Sequence, residues 1–276
     1  MRSYALRVAL KCSWVSLVRA SPCADALLGE EYTGFTTKKK VCLHVKESLL
    51  TVFSTNINER QVYKMQTKVI IIRHGQSIAN AMGICLGHTD WDLTDEGRRQ
   101  ARIAAEYLKD EKIDAIYSSD LIRAYNTALP HAELRGMEIV TSKQLREIYL
   151  GAWECKSHEE MHRLYPEEFT VGWRQNFGIC QVPGGEHVQE AGARLYKEIC
   201  RIAALHPNST VLVASHAAAI RSFWGKVAGI KPEDLNDAVN YPLNASCTTI
   251  IYDGQTLHPV SYSDAHYFDE IERHGA

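Results

Sequence analysis

None of the eight cysteines (Cys12, Cys23, Cys42, Cys85, Cys155, Cys180, Cys200 and Cys247) falls in a Cys-x-x-Cys pair, and no zinc-ligand spacing occurs. That removes the common zinc-binding arrangements. A chain of 276 residues buries a core without disulfides, so reduced thiols in a cytoplasmic protein are the expectation. Walker-type loops and Gly-x-Gly-x-x-Gly are also absent, and no nucleotide cofactor or metal is expected. There is no internal repeat and no low-complexity tract. The first 24 residues hold Arg2, Arg7, Lys11 and Arg19 and no acid, a composition that makes a mitochondrial presequence a minor alternative. They lack the run of about 18 apolar residues that a membrane span needs. Asn208-Ser209-Thr210 and Asn244-Ala245-Ser246 fit glycosylation sequons; without a secretory signal they read as coincidence.

Charge is distributed unevenly. Residues 1–64 carry ten Lys or Arg against five Asp or Glu, and the remainder carries 21 against 28. The front part lacks periodicity, and Lys38-Lys39-Lys40 is its only strong charge run. The chain therefore divides into an expected poorly structured extension, residues 1–64, and one compact domain, residues 65–276.

What is present in that domain is strand followed by helix, repeatedly. Val69-Ile70-Ile71-Ile72 is a β-branched apolar run that reads as a buried strand, and it ends in Arg73-His74-Gly75. Thr94 is placed to cap a helix running toward Lys109, with Asp95 and Glu96 at its positive end. Ala115–Tyr117 reads as a strand leading into a helix stopped by Pro130. Ser157 to Asn176, broken at Pro166, is expected to be helical and to cover the site. His187 to Leu205 reads as a longer helix, and Thr210–Ala214 as a central strand before Ser215-His216. Cys247–Tyr252 and Thr256–Tyr262 flank Asp253-Gly254, a hairpin signal. The alternation predicts an α/β fold, a three-layer α/β/α sandwich with a mostly parallel central sheet.

Two histidines at the ends of two buried strands are placed to face one another where open α/β sheets hold their ligands. Singly, Arg123 reads better as a solvated helix residue and Glu147 as a surface acid. His88, in Gly87-His88-Thr89-Asp90, reads as a solvated loop histidine. Gly184-Gly185 is explained by a turn into the following helix. Of the aromatics Tyr149, Trp153, Tyr165, Trp173 and Phe177, most are expected in the core and one or two at a pocket.

Taken together, these segments resemble the histidine phosphatase superfamily, the phosphoglycerate mutase-like proteins. The matching residues are Arg73-His74-Gly75-Gln76-Ser77 with Asn80, and Leu93-Thr94 with Gly97 and Gln100-Ala101. Ser118-Ser119-Asp120-Leu121, Arg123-Ala124 and Thr127-Ala128 follow, then Leu145-Arg146-Glu147 with Gly151 and Trp153-Glu154. Pro183-Gly184-Gly185-Glu186 and Ser215-His216 complete the set. The resemblance runs from Lys68 to the C-terminus. Cys155 and Ala217 stand where many members carry glycine; both are small, so altered packing is expected without loss of chemistry.

The resemblance implies phosphoryl transfer without a metal. His74 is the expected nucleophile, a neutral imidazole that escapes repulsion by the phosphate charge. Arg73 and Arg123 would clamp the phosphoryl oxygens, while His216, as imidazolium, and Asn80 would add donors. Glu147 would protonate the leaving group. Gly87 and Ala217 are further substrate-binding candidates, the former through its backbone. The expected activity is hydrolysis of a small phosphate monoester through phosphohistidine. A cofactor-dependent phosphoglycerate mutase is the alternative, and a non-catalytic binding protein of the same fold the third reading. Gly151-Ala152-Trp153-Glu154 and the domain length favour the phosphatase branch. Beyond the small phosphorylated substrate no nucleic acid or membrane partner is expected; a homodimer is allowed for.

Overall fold

The computed structural model describes residues 66–268, so the expected extension over residues 1–64 lies outside the described residues. In chain order the main elements are β1 (Thr67–Arg73), α1 (Ile78–Met82), β2 (Ile84–Cys85), α2 (Asp95–Tyr107), β3 (Ala115–Ser118), α3 (Ile122–Arg135) and β4 (Ile139–Thr141). They continue with β5 (Lys156–Ser157), α4 (His158–Leu164), a π-helical segment (Pro166–Trp173), α5 (Val188–Leu205), β6 (Thr210–Ser215), α6 (Ala217–Val227), β7 (Cys247–Tyr252) and β8 (Leu257–Asp264).

Six strands form one sheet in the order β4-β3-β6-β1-β7-β8. β4, β3, β6 and β1 are parallel, and β7 and β8 are antiparallel. The period-two alternation of β1 explains the layers. Val69 and Ile71 face a cluster containing Leu195, Ile199 and Ile202 of α5 and Phe223 of α6. Ile70 and Ile72 face Ala104 of α2 and Ala124, Ala128 and Ala132 of α3. Helices thus cover both faces, and the sandwich is the expected one. β1 and β6 pair in register through Arg73 and Ser215, which brings the two histidines that follow them side by side.

The predicted cap of α2 forms, with Thr94 Oγ1 accepting from the Gly97 N–H, while His187, expected as the first helical residue, caps α5 instead. α3 departs from expectation, running through Pro130 to Arg135 and ending at Gly136, whose φ is +61°. An interior proline forfeits a hydrogen bond to the carbonyl four residues back and costs about 3 kcal/mol. Here the buried row Ala124, Ala128, Ala132 continues across it against the sheet, and that packing offsets the loss. The segment from Ser157 breaks at Tyr165, directly before the Pro166 expected to interrupt it, and its second half is π-helical. The two-residue strands β2 and β5 pair with each other in a separate ribbon, unforeseen because two residues carry no periodicity. Among the described residues no helix is long and apolar enough to cross a membrane, and the five cysteines Cys85, Cys155, Cys180, Cys200 and Cys247 are free.

Candidate active site

At the carboxyl ends of β1 and β6 the sheet opens into a cavity of about 510 Å³. Arg73, His74, Asn80, Arg123, Glu147 and Ala217 all line it, so six of the eight residues named from the sequence converge there. Gly87 and His216 do not line it.

His74 is 4 % exposed. Its Nδ1 lies 2.7 Å from the Gly75 carbonyl oxygen. A carbonyl only accepts, so Nδ1 carries the proton and Nε2 keeps its lone pair. Burial, then Arg123 and Arg73, hold the imidazole pKa well below 6.5, so His74 is neutral at physiological pH. Gly75 is a place where no side chain fits: a Cβ there would stand 2.4 Å from the Gly97 carbonyl oxygen. Its N–H donates to Thr127 Oγ1, which in turn donates to the Arg123 carbonyl. The strand-end step and α3 are tied together through this one hydroxyl.

His216 is fully buried, its ring centre 5.2 Å from that of His74. Neither of its ring nitrogens has a partner. Burial, then Arg123 and His74, hold its pKa well below 6.5. Burial thus disfavours the imidazolium form of His216 in the ligand-free protein, and the expected imidazolium belongs to the state in which a phosphoryl group is bound.

Arg123, 2 % exposed, is far from the solvated helix residue that its sequence context allowed. Its Nη1 donates to the Thr89 carbonyl and its Nη2 to the Gly87 carbonyl, at 2.9 and 2.8 Å. The loop holding those carbonyls is organised by Glu154, whose carboxylate accepts from the N–H groups of Gly87, His88 and Thr89. Gly87 thus binds Glu154 with its N–H and Arg123 with its carbonyl, which corrects its expected contact with substrate. A Cβ on Gly87 would lie 2.4 Å from Glu154 Oε1 and 2.5 Å from the Ile148 carbonyl. His88 is half-buried, and its Nε2 bonds the Glu147 carbonyl at 3.0 Å; it is a support for Glu147 and no solvated loop residue. Arg194 donates to the same carbonyl and pairs with Glu186.

Glu147, 8 % exposed, accepts at Oε1 from the N–H groups of Ile148 and Ala219 and at Oε2 from that of Ala218. It sits at the N-terminus of α6, where backbone donors and the helix dipole favour an acid. Oε2 makes a single bond and retains capacity for a proton. Arg73 donates from Nη1 to the Pro242 carbonyl at 2.5 Å, and its Nε is buried without a partner. Burial pulls its pKa down to about 10 against the opposing charge of Glu147, which leaves it cationic at neutral pH. Asn80 uses its carbonyl in the capping box of α1, accepting from the Ser77 N–H, so its amide N–H₂ is the group it offers the cavity.

The outer wall is made by Cys85, His158, Trp173, Arg174, Arg221 and Tyr241; His158, Trp173 and Arg174 fall in the segment expected to cover the site, while Cys85, Arg221 and Tyr241 were not foreseen. Of the five aromatics singled out, Trp173 reaches this wall while Trp153 and Phe177 are core. Arg221 is held between the faces of Phe177 and Tyr241, 4.4 and 4.5 Å from the ring centres. Gly184, with φ +67°, turns the chain ahead of α5 and does not line the cavity. Cys155, where the resemblance leads one to expect glycine, has φ +60°, a left-handed conformation that glycine adopts without strain. Among the described residues no group of three or more His, Cys, Asp or Glu is placed to hold a metal.

The family model for the histidine phosphatase superfamily, branch 1, matches residues 69–265. Phosphoserine phosphatase 1 of Hydrogenobacter thermophilus is 34 % identical over 163 residues, covering 59 % of this chain and 77 % of the relative. A 2,3-bisphosphoglycerate-dependent phosphoglycerate mutase of Bartonella tribocorum is 31 % identical over 178 residues, 62 % of this chain and 86 % of that protein. Among solved structures, a mycobacterial glucosyl-3-phosphoglycerate phosphatase superposes with a TM-score of 0.66 at 26 % identity, over 72 % of this chain and 99 % of its own.

Proposed function

The chain belongs to the histidine phosphatase superfamily, branch 1, and is a phosphatase; we propose that it hydrolyses small phosphate monoesters in two steps, through a phosphoryl group carried on Nε2 of His74. The observation that carries this reading is the state of His74. It is neutral, with its proton fixed on Nδ1 by Gly75, and its Nε2 is free beside the buried Arg123 and the half-buried Arg73.

In the first step the Nε2 lone pair attacks phosphorus and the ester P–O bond breaks. Glu147 gives the leaving oxygen its proton. Arg73 and Arg123 hold the equatorial oxygens and offset their charge. The incoming phosphoryl dianion favours protonation of His216, whose two unpartnered nitrogens then include a donor toward it. In the second step water attacks phosphorus, the P–N bond breaks, and Glu147 takes the water proton. A phosphoryl group fills only a small part of 510 Å³, so the wall of His158, Trp173 and Arg174 is left to the alcohol portion of the substrate.

The mutase among the relatives gives the second reading a specific basis. A panel of phosphomonoesters, with 3-phosphoglycerate plus 2,3-bisphosphoglycerate included, separates the two. Release of inorganic phosphate from several monoesters, at rates above any isomerisation of phosphoglycerate, is expected. Isomerisation outpacing release would make the chain a mutase.

A further inference from the structure

We propose that Asn244 is a positioning residue for His74, and that the turn 242–246 is a backbone cradle for the Arg73-His74 step. The inference rests on the reading of His74 as nucleophile and extends it to a residue that touches no reacting atom.

β1 ends at Arg73, and beyond it the chain has no regular strand partner on the β7 side. The turn that precedes β7 takes over. Ser246 accepts at its carbonyl from the Arg73 N–H at 3.1 Å, and the Ala245 N–H donates to the His74 carbonyl at 3.3 Å. Asn244 Nδ2 donates to the same carbonyl at 3.0 Å and reaches Asn80 Oδ1 at 3.4 Å. Pro242 accepts at its carbonyl from Arg73 Nη1. On the opposite side the His74 N–H donates to the Ser215 carbonyl at 3.0 Å. The peptide groups flanking the imidazole are therefore held from both neighbours, and Asn244 makes the shorter of the two bonds to the His74 carbonyl.

The turn is not a relaxed one. Ala245 is fully buried with φ +54°, a left-handed conformation that disfavours a side chain and persists where surroundings impose it. Tyr267 imposes it: its Oη donates to the Ala245 carbonyl, and its ring stacks on Tyr107 at 4.4 Å between centres. Tyr267 is fully buried. The turn is thus latched from behind while its front face holds His74. Reacting atoms tolerate little displacement, since about 1 Å costs on the order of a hundredfold in rate.

The test is pre-steady-state phosphorylation of the full chain by an activated aryl phosphate, comparing wild type with Asn244→Ala and the isosteric Asn244→Asp. The burst amplitude reads the competent fraction and the burst rate reads positioning. Asn244→Ala is expected to keep its amplitude and its KM within about threefold while its burst rate falls at least tenfold. Asn244→Asp sets a carboxylate against the His74 carbonyl; its rate relative to wild type should be lowest at neutral pH and recover as the carboxyl protonates and donates again. Burst rates within twofold of wild type in both variants overturn the proposal, as does a loss confined to amplitude, which marks a folding role alone. Wild-type enzyme that places no phosphate on His74 would instead overturn the reading beneath it.

Discussion

His131 lies on α3 with no exposed surface, and neither of its ring nitrogens has a hydrogen-bond partner. Burial, with Arg135 nearby, pulls its pKa from 6.5 down to about 3. The folded protein therefore keeps the ring neutral, while the unfolded chain takes up a proton below pH 6.5. Stability from this residue is intact above pH 6.5 and is lost as pH falls from there toward about 3. Each pH unit in that window is worth about 1.4 kcal/mol, so His131 alone removes about 2 kcal/mol at pH 5. His74 and His216, also held well below 6.5, act in the same direction. The perturbation that isolates one of the three is His131→Leu. At pH 7 the exchange replaces two unpaired buried nitrogens with apolar atoms of similar bulk, an effect of about 1–2 kcal/mol in either direction. That packing change does not depend on pH, so the loss between pH 7 and pH 5 separates it from titration. Urea unfolding at both pH values, with m-values compared to confirm a common denatured state, should show wild type losing about 2 kcal/mol more than the variant. Equal losses would mean that His131 titrates normally, and the argument from burial would fail.

Glu147→Gln should slow phosphorylation by an alkyl monoester about a hundredfold or more, the scale of general acid catalysis, and slow an activated aryl phosphate much less. Burst kinetics check this, and equal losses would assign the acid elsewhere. In the proposed mechanism Arg73 and Arg123 supply the positive charge at the phosphoryl end, so EDTA should leave turnover unchanged; activity lost to chelator and restored by Mg²⁺ or Zn²⁺ would contradict that. Cys155→Gly, at an exposed position with φ +60°, should raise unfolding stability by about 0.5–1 kcal/mol. A lowered urea midpoint would show that the Cys155 contact with Thr89 outweighs the strain.

The features legible in the sequence were local ones. β1 and β6 are short apolar runs ending in histidine, the α2 cap is a threonine ahead of two acids, and the hairpin is two β-rich runs around Asp253-Gly254; each signal lies within a few residues. The convergence of His74, Arg123 and Glu147 followed from strand ends and a family pattern. What was illegible depends on distant neighbours. Asn244 read as a chance sequon because its partner His74 is 170 residues away. His88 and Gly87 bond to Glu147 and Glu154, 59 and 67 residues on. The downward pull on the His216 pKa comes first from complete burial and then from Arg123, which no residue beside it in the chain reveals. Pro130 broke the local rule because the helix face it interrupts is buried on both sides.

The central claim is tested most directly by trapping. Wild type is mixed with a monoester labelled in its phosphoryl group, quenched within the burst, digested and mapped. The account predicts acid-labile label on the peptide bearing His74, and a His74→Ala protein that is folded but neither labelled nor active. Label on another residue, or His74→Ala turnover near the wild-type rate, would contradict it.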